Sequence, residues 1–258
     1  IATDLYRGRE MTRFFGLLMT INGLAPIISP ILGSLLLEYI SWKGIFIFLA
    51  LIGVIVLLFC FRLKESLNLE NRLQGSIFST FLTFSVIIKN RLFMSYVGIQ
   101  SFLLGSMFAY IAASPFIFQS FYGLSAFIFS LCFGANGAAL VIGANVGGKL
   151  ENRKALAIGV LIIQPYWLFV EIGFFAMLLL MGITFPAISS LAMESERQYA
   201  GSASALLGFA PFFLGGVVSP LVGIGNIFYS TALVILACSV LALVIYWMIR
   251  HKIPNLAE

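Results

Sequence analysis

Long apolar runs separated by short charged segments pattern this chain, and most of the runs approach the roughly 20 residues a helix needs to cross a bilayer. The first, Met11–Leu37, reads MTRFFGLLMTINGLAPIISPILGSLLL. A short turn over Glu38–Gly44 leads to a second span at Ile45–Phe61, and charges resume from Arg62 to Arg72. Ser76–Ile88 is apolar but too short to cross. Its bulky residues Ile77, Phe81, Phe84 and Ile88 recur at helical spacing, which predicts a helix lying along the membrane surface. Further spans are predicted at Leu92–Phe118, at Ala126–Val146, within Ala155–Met193, at Gly201–Val222 and at Ile227–Ile249. A polar tail begins at Arg250. A membrane barrel would show short alternating segments instead, so the pattern predicts an all-α polytopic membrane protein embedded in a lipid bilayer.

Composition agrees. The chain is 61% apolar and only 10% charged, against about 25% charged in soluble domains. Its net charge of +5 is therefore no sign of a nucleic-acid partner and follows the positive-inside rule. If the first charged segment is cytoplasmic, every one of the 15 Lys and Arg residues except Lys43 falls on the cytoplasmic side. The C-terminal tail then lies there too. That count requires Ala155–Met193 to cross an even number of times, yet two crossings and a turn need about 45 residues. Pro165 predicts a helix start at Tyr166. This leaves Ala155–Gln164 as a helix about 15 Å long against a core of about 30 Å, so one crossing is shortened.

Candidate chemistry is sparse. Cys60, Cys132 and Cys238 lie far apart inside apolar runs and read as small hydrophobes with no metal spacing. The single histidine, His251, sits in the tail between Arg250 and Lys252. No grouping of acids, histidines or thiols predicts catalysis, a metal or a cofactor. Glu171 is the one acid within an apolar run and, counted back from Glu194, lies toward the outer surface; it reads as an interfacial acid or, alternatively, as a proton carrier. Gln100 and Asn136 are the polar residues placed to line a cavity, or to bridge helices as hydrogen-bonding glue.

The first run is rich in small residues and carries Pro26 and Pro30, features that neighbouring membrane helices accommodate. The spacing of Gly16, Ala25, Ser29, Pro30, Gly33 and Ser34 resembles the antiporter motif of the major facilitator superfamily, with Ala25, Ser29 and Ser34 as small replacements. The resemblance implies the fifth helix of a twelve-helix transporter. Ser29–Gly33 (SPILG) returns 190 residues later as Ser219–Gly223 (SPLVG), and such proteins consist of two six-helix halves in parallel repeat. By that offset, about 100 residues, or four helices, precede Ile1. The absence of an initiator Met likewise predicts a longer sequence. Gly201–Gly208 (GSASALLG) resembles the eleventh-helix signature of the bicyclomycin-resistance (Bcr/CflA) drug-efflux branch. Gly182–Pro186 (GITFP) is similar to its tenth helix, and Ile1–Asp4 to the cytoplasmic end of its fourth. Lys149–Lys154 is only a weak version of the basic loop motif between paired helices.

The resemblance implies a partial major facilitator fold: two of the six helices of the first half, then the second half with its ninth helix shortened. Residues 1–62 end the first half, 63–91 form a cytoplasmic linker with an interfacial helix, 92–249 form the second half and 250–258 the tail. It further implies an inner (plasma) membrane antiporter that exchanges small lipophilic, drug-like compounds for protons. Gly201, Ser202, Ser204, Gly208, Pro220 and Gly223 are expected to pack the eleventh helix, against the fifth. The chain alone is expected not to transport. Alternatives are a metabolite uptake carrier on the same fold, or one chain of a split transporter that needs a separate first-half fragment. Topology is directly testable: Asn68→Cys, in a background without the native cysteines, should resist an impermeant thiol reagent applied to intact cells, and labelling from outside would reverse the orientation.

Overall fold

A computed structural model describes residues 5–62, 77–147 and 167–251; within α1 and at the starts of α3, α5 and α6 some side chains fall outside this set. Among the described residues eight α-helices follow in order: α1 Gly8–Tyr39, α2 Trp42–Cys60, α3 Ile77–Lys89, α4 Arg91–Pro115, α5 Ala126–Gly147, α6 Trp167–Ser195, α7 Ala200–Val218 and α8 Ile227–Ile249. Among the described residues there is no strand, and six helical segments are long and apolar enough to cross a membrane. The fold class is thus all-α and polytopic.

Sequence signals account for most boundaries. Asn90 caps α4 by accepting from the N–H groups of Leu92 (3.0 Å) and Phe93 (3.2 Å), and Asn226 caps α8 through Phe228 and Tyr229 in the same way. Proline cannot donate a main-chain hydrogen bond, and beyond Pro115 α4 widens into a π-turn over Phe116–Phe121. Where a surface helix is expected, a helix is present as α3, with Ile87 fully buried and Ile88 exposed. The two SP-x-x-G copies differ in conformation. Ser219–Gly223 forms a 3₁₀ turn that ends α7, followed by extended Ile224 and left-handed Gly225 (φ +77°). Residues 29–33 instead lie within the continuous α1, which runs on to Tyr39 before extended Ile40 stops it. The first copy therefore does not end its helix. Residues 148–166, including Lys149–Lys154 and the shortened crossing, lie outside the described residues.

The helices sort into two groups. In one, α5 packs on α6 and α1 lies across both; in the other, α4 packs on α7 and α8. α4 also touches α6 and so joins the groups. α2 touches α1 only lightly and buries none of its residues, as suits an apolar helix surrounded by lipid.

The α5–α6 contact is backbone on backbone. A Cβ added to Gly143 would strike the Leu179 carbonyl and sit 2.9 Å from Gly182 Cα; one added to Gly182 would strike the Leu140 carbonyl and sit 2.9 Å from the Ala144 nitrogen. Gly147 is blocked likewise by the Ile183 carbonyl. Partners climb together, 140–147 against 179–183, so the two helices run in the same direction. Main chain cannot yield as a side-chain tip can. Gly182→Ala should therefore cost about 1–3 kcal/mol, read as a lower melting temperature in detergent. Gly53→Ala, where added atoms meet nothing within 4 Å, should leave it unchanged or slightly higher.

Candidate functional site

Three polar side chains from three helices meet inside the apolar bundle. Asn136 of α5 is 1% exposed. Its Nδ2 donates to Tyr110 Oη of α4 at 3.0 Å and to Glu171 Oε2 of α6 at 3.1 Å. The glycine crossing sets this geometry. Asn136 lies two turns before Gly143, and Glu171 three turns before Gly182, on the faces that meet. Aromatic rings close the cluster: Tyr110 stacks on Phe133 at 5.7 Å and tilts against Phe174 at 4.6 Å. Asn136 Oδ1 and Glu171 Oε1 are buried with no hydrogen-bond partner among the described residues. Glu171 is thus drawn into the bundle by an amide. Acceptors left unpaired in an apolar surround are costly, and they leave the cluster able to take up a proton or a hydrogen-bond donor.

Gln100 does not join this cluster. It lies ten residues before Tyr110 on α4, about 15 Å along the axis, and its Oε1 accepts from Ser189 Oγ of α6 at 3.4 Å. Tyr96 Oη and Ser190 Oγ are further buried polar atoms without partners among the described residues. Tyr110 was not singled out from the sequence. Its signal was a phenol beside small residues (Ala109, Ala112, Ala113), whose hydroxyl needs a partner once buried.

At the charged end of the bundle, α1 is tied to the end of α6. The Gly8 N–H, at the start of α1 with φ +49°, donates to Glu194 Oε1 at 2.6 Å, and Arg197 Nη2 donates to the Tyr6 carbonyl at 3.0 Å. Asn90 Nδ2 donates to Glu196 Oε1 at 2.5 Å and so fixes the α3–α4 corner to the same turn. Deeper, Asn145 Nδ2 of α5 donates to Thr20 Oγ1 of α1 at 3.1 Å.

The remaining candidates scatter. Gly16 is buried on α1, and its carbonyl accepts from Thr20 Oγ1 at 2.9 Å. The side-chain positions of Ala25, Ser29, Pro30, Gly33 and Ser34 lie outside the described residues. On α7 the buried residues are Ala203, Leu207, Pro211, Gly215 and Val218. Gly215 approaches the Phe108 ring of α4. Gly201, Ser204, Gly208, Pro220 and Gly223 are exposed and Ser202 is half-buried; added atoms on Gly201, Gly208 or Gly223 meet nothing within 4 Å. In this chain α1 lies mainly against α5 and α6, and α7 packs on α4. Cys60 is exposed, Cys132 partly buried and Cys238 buried, all as free thiols. Among the described residues no group of His, Cys, Asp or Glu could hold a metal.

A multi-pass helical bundle with a polar cluster buried between its helices is the build of a membrane transporter. The sequence model of the Major Facilitator Superfamily matches residues 1–220, and the chain belongs to that family. It is 38% identical over 246 residues to an uncharacterised MFS-type transporter, YdgK, of Bacillus subtilis (strain 168), covering 88% of this chain and 61% of that protein. It is 25% identical over 273 residues to a bicyclomycin resistance protein homolog of Haemophilus influenzae, covering 96% and 68% respectively. A chloramphenicol resistance protein of Pseudomonas aeruginosa is 26% identical over 239 residues, 85% of this chain and 55% of that one. The chain thus spans roughly three-fifths of the length of these relatives. Two of these relatives are named for drug resistance.

The cluster has a stability signature. Tyr110→Phe keeps the ring contacts but leaves Asn136 Nδ2 with one acceptor fewer, which should cost about 1 kcal/mol in detergent unfolding. Tyr229→Phe, at an exposed ring, should cost nothing measurable.

Proposed function

We propose that the protein containing this chain is a proton-coupled exporter of small lipophilic, drug-like compounds, working by alternating access in the inner (plasma) membrane with its C-terminus cytoplasmic. Glu171 carries the exchanged proton. Asn136, itself bonded to Tyr110, holds that carboxylate, and Gln100 with Asn136 lines the polar interior the substrate meets. Gly16, Ala25, Ser29, Pro30, Gly33 and Ser34 give α1 the small-residue surface on which the halves rock. One observation carries the reading. In a family shared with proteins named for drug resistance, the carboxylate among the apolar helices has an unpaired oxygen and sits on an amide that bridges to a second helix. Such intramembrane acids are expensive to keep and mark proton pathways.

A second feature bears on how the transporter is assembled. α2 buries nothing, and α7 presents an open glycine and serine face. Close helix approach uses such faces, which favours further helices beside them, in the same chain or in a separately supplied first half. The 258-residue chain by itself is then not a transporter.

In cells stripped of their own efflux pumps, the chain alone should leave ethidium accumulation at the empty-vector level. A version extended to the length of its relatives should lower accumulation until an uncoupler is added. Glu171→Gln in that version should abolish the uncoupler-sensitive part. Efflux by the chain alone would overturn the assembly reading, and parental efflux by Glu171→Gln would overturn the proton assignment.

A further inference from the structure

The carboxamide of Asn136 carries an oxygen and an NH₂ of almost the same size, one acceptor-only and one donor-only. A half-turn about the Cβ–Cγ bond exchanges them without moving a neighbour. The position now filled by Nδ2 touches two oxygens, Glu171 Oε2 and Tyr110 Oη. A charged Glu171 can only accept, so Nδ2 must face it. The Tyr110 hydroxyl then also receives a hydrogen from Nδ2, and its own O–H is directed to no partner among the described residues. A neutral Glu171 protonated on Oε2 can donate instead. Oδ1 then fits the same position, accepting from Glu171 O–H and from Tyr110 O–H together. The other end of the amide has no partner now, and it would have none after the half-turn, so the exchange creates no new unpaired atom.

Resting on the proton assignment to Glu171, we propose that Asn136 is a two-state relay: protonation of Glu171 turns its amide and converts Tyr110 from hydrogen-bond acceptor to donor. The proton comes from the aqueous phase and stays on Glu171 Oε2; no other covalent bond forms or breaks. Only while Glu171 is charged is the Tyr110 hydroxyl hydrogen free for an outside acceptor. Proton and acceptor-bearing ligand therefore compete for one hydroxyl, the logic that exchange transport requires.

Among the described residues, Tyr110 of α4 is tied to Glu171 through Asn136, and Cys132 of α5 lies one turn before Asn136 on the same helix. α7 contains no charged residue, and the described charged residues of α1, Arg9, Glu10 and Arg13, lie near its Gly8 end. That end is bound to Glu194, about 35 Å along α6 from Glu171. The amide is accordingly the direct route from Glu171 to Tyr110.

Acid-minus-base infrared difference spectra of the purified chain in lipid nanodiscs test this. The parent should show a carboxyl C=O band that Glu171→Gln removes, and a tyrosine C–O band that Tyr110→Phe removes, both titrating with one midpoint. In Asn136→Leu, nearly the same shape without polar atoms, the carboxyl band should still titrate while the tyrosine band stays still. Asn136→Ala should do the same and guards against a packing defect peculiar to leucine. A tyrosine band that is silent in the parent, or that still follows Glu171 in both Asn136 variants, overturns the relay alone. Absence of any titrating band assigned to Glu171 overturns the proton assignment, and the relay with it.

Discussion

Three glycines hold the arrangement together. Gly143, Gly147 and Gly182 let the backbones of α5 and α6 touch, with carbonyl oxygens where a Cβ would otherwise stand. Within a membrane there is no hydrophobic gain from pressing two apolar helices together, because lipid is as apolar as leucine. Close packing has to supply the attraction, and only glycine permits backbone contact. The other features follow. α1 lies along both members of the pair. Asn136 and Glu171, two and three turns from the crossing on the touching faces, are brought within hydrogen-bonding distance. A polar contact this deep needs a fixed scaffold, and the glycine crossing provides it.

Polar satisfaction is uneven by location. At the charged end each tie is made: Glu194 receives the first free N–H of α1, as an acid at a helix N-terminus should, and Arg197 and Asn90 hold neighbouring turns. Inside the bundle, six buried side-chain atoms have no partner among the described residues, on Tyr96, Ser101, Asn136, Glu171, Ser190 and Thr231. A protein selected only for stability would pair such atoms or replace them with methyl groups. Their persistence along α4 and α6 fits an interior built to meet something polar in passing.

Much of this was legible in the sequence. Apolar runs located the helices because a bilayer admits little else, and α8 was bounded correctly at Ile227 and Ile249 by Asn226 on one side and Arg250 on the other. The faces were harder. In an all-apolar helix the period that separates inside from outside almost vanishes, so spacing alone does not say which face of GSASALLG meets a neighbour. The decisive contact had a signal that was passed over: Gly143 and Gly147 form a small-xxx-small pair, more telling than the proline-bearing run of α1. The two SP-x-x-G copies differ in conformation for a physical reason. Such a local sequence ends a helix only where the following residues, here Ile224 and Gly225, turn the chain away. That Asn136 meets Glu171 could not be read from spacing, because it depends on which two helices cross and where.

The placement of Tyr110 gives the cluster its reach. Asn136 and Glu171 belong to the rigid α5–α6 pair, whereas Tyr110 stands on α4, which packs mainly with α7 and α8. The Asn136–Tyr110 hydrogen bond thus bridges two groups of helices, alongside the stacked rings of Tyr110 and Phe133. This bridge is made by side chains, whereas α5 and α6 touch backbone on backbone, so we expect movement more readily at the bridge than within the α5–α6 pair. A change of partner at Tyr110 acts on that movable boundary, and a change confined to Asn136 and Glu171 would be absorbed by the glycine crossing. For chemistry at one carboxylate to become motion of helices, the bridge to α4 is the necessary link.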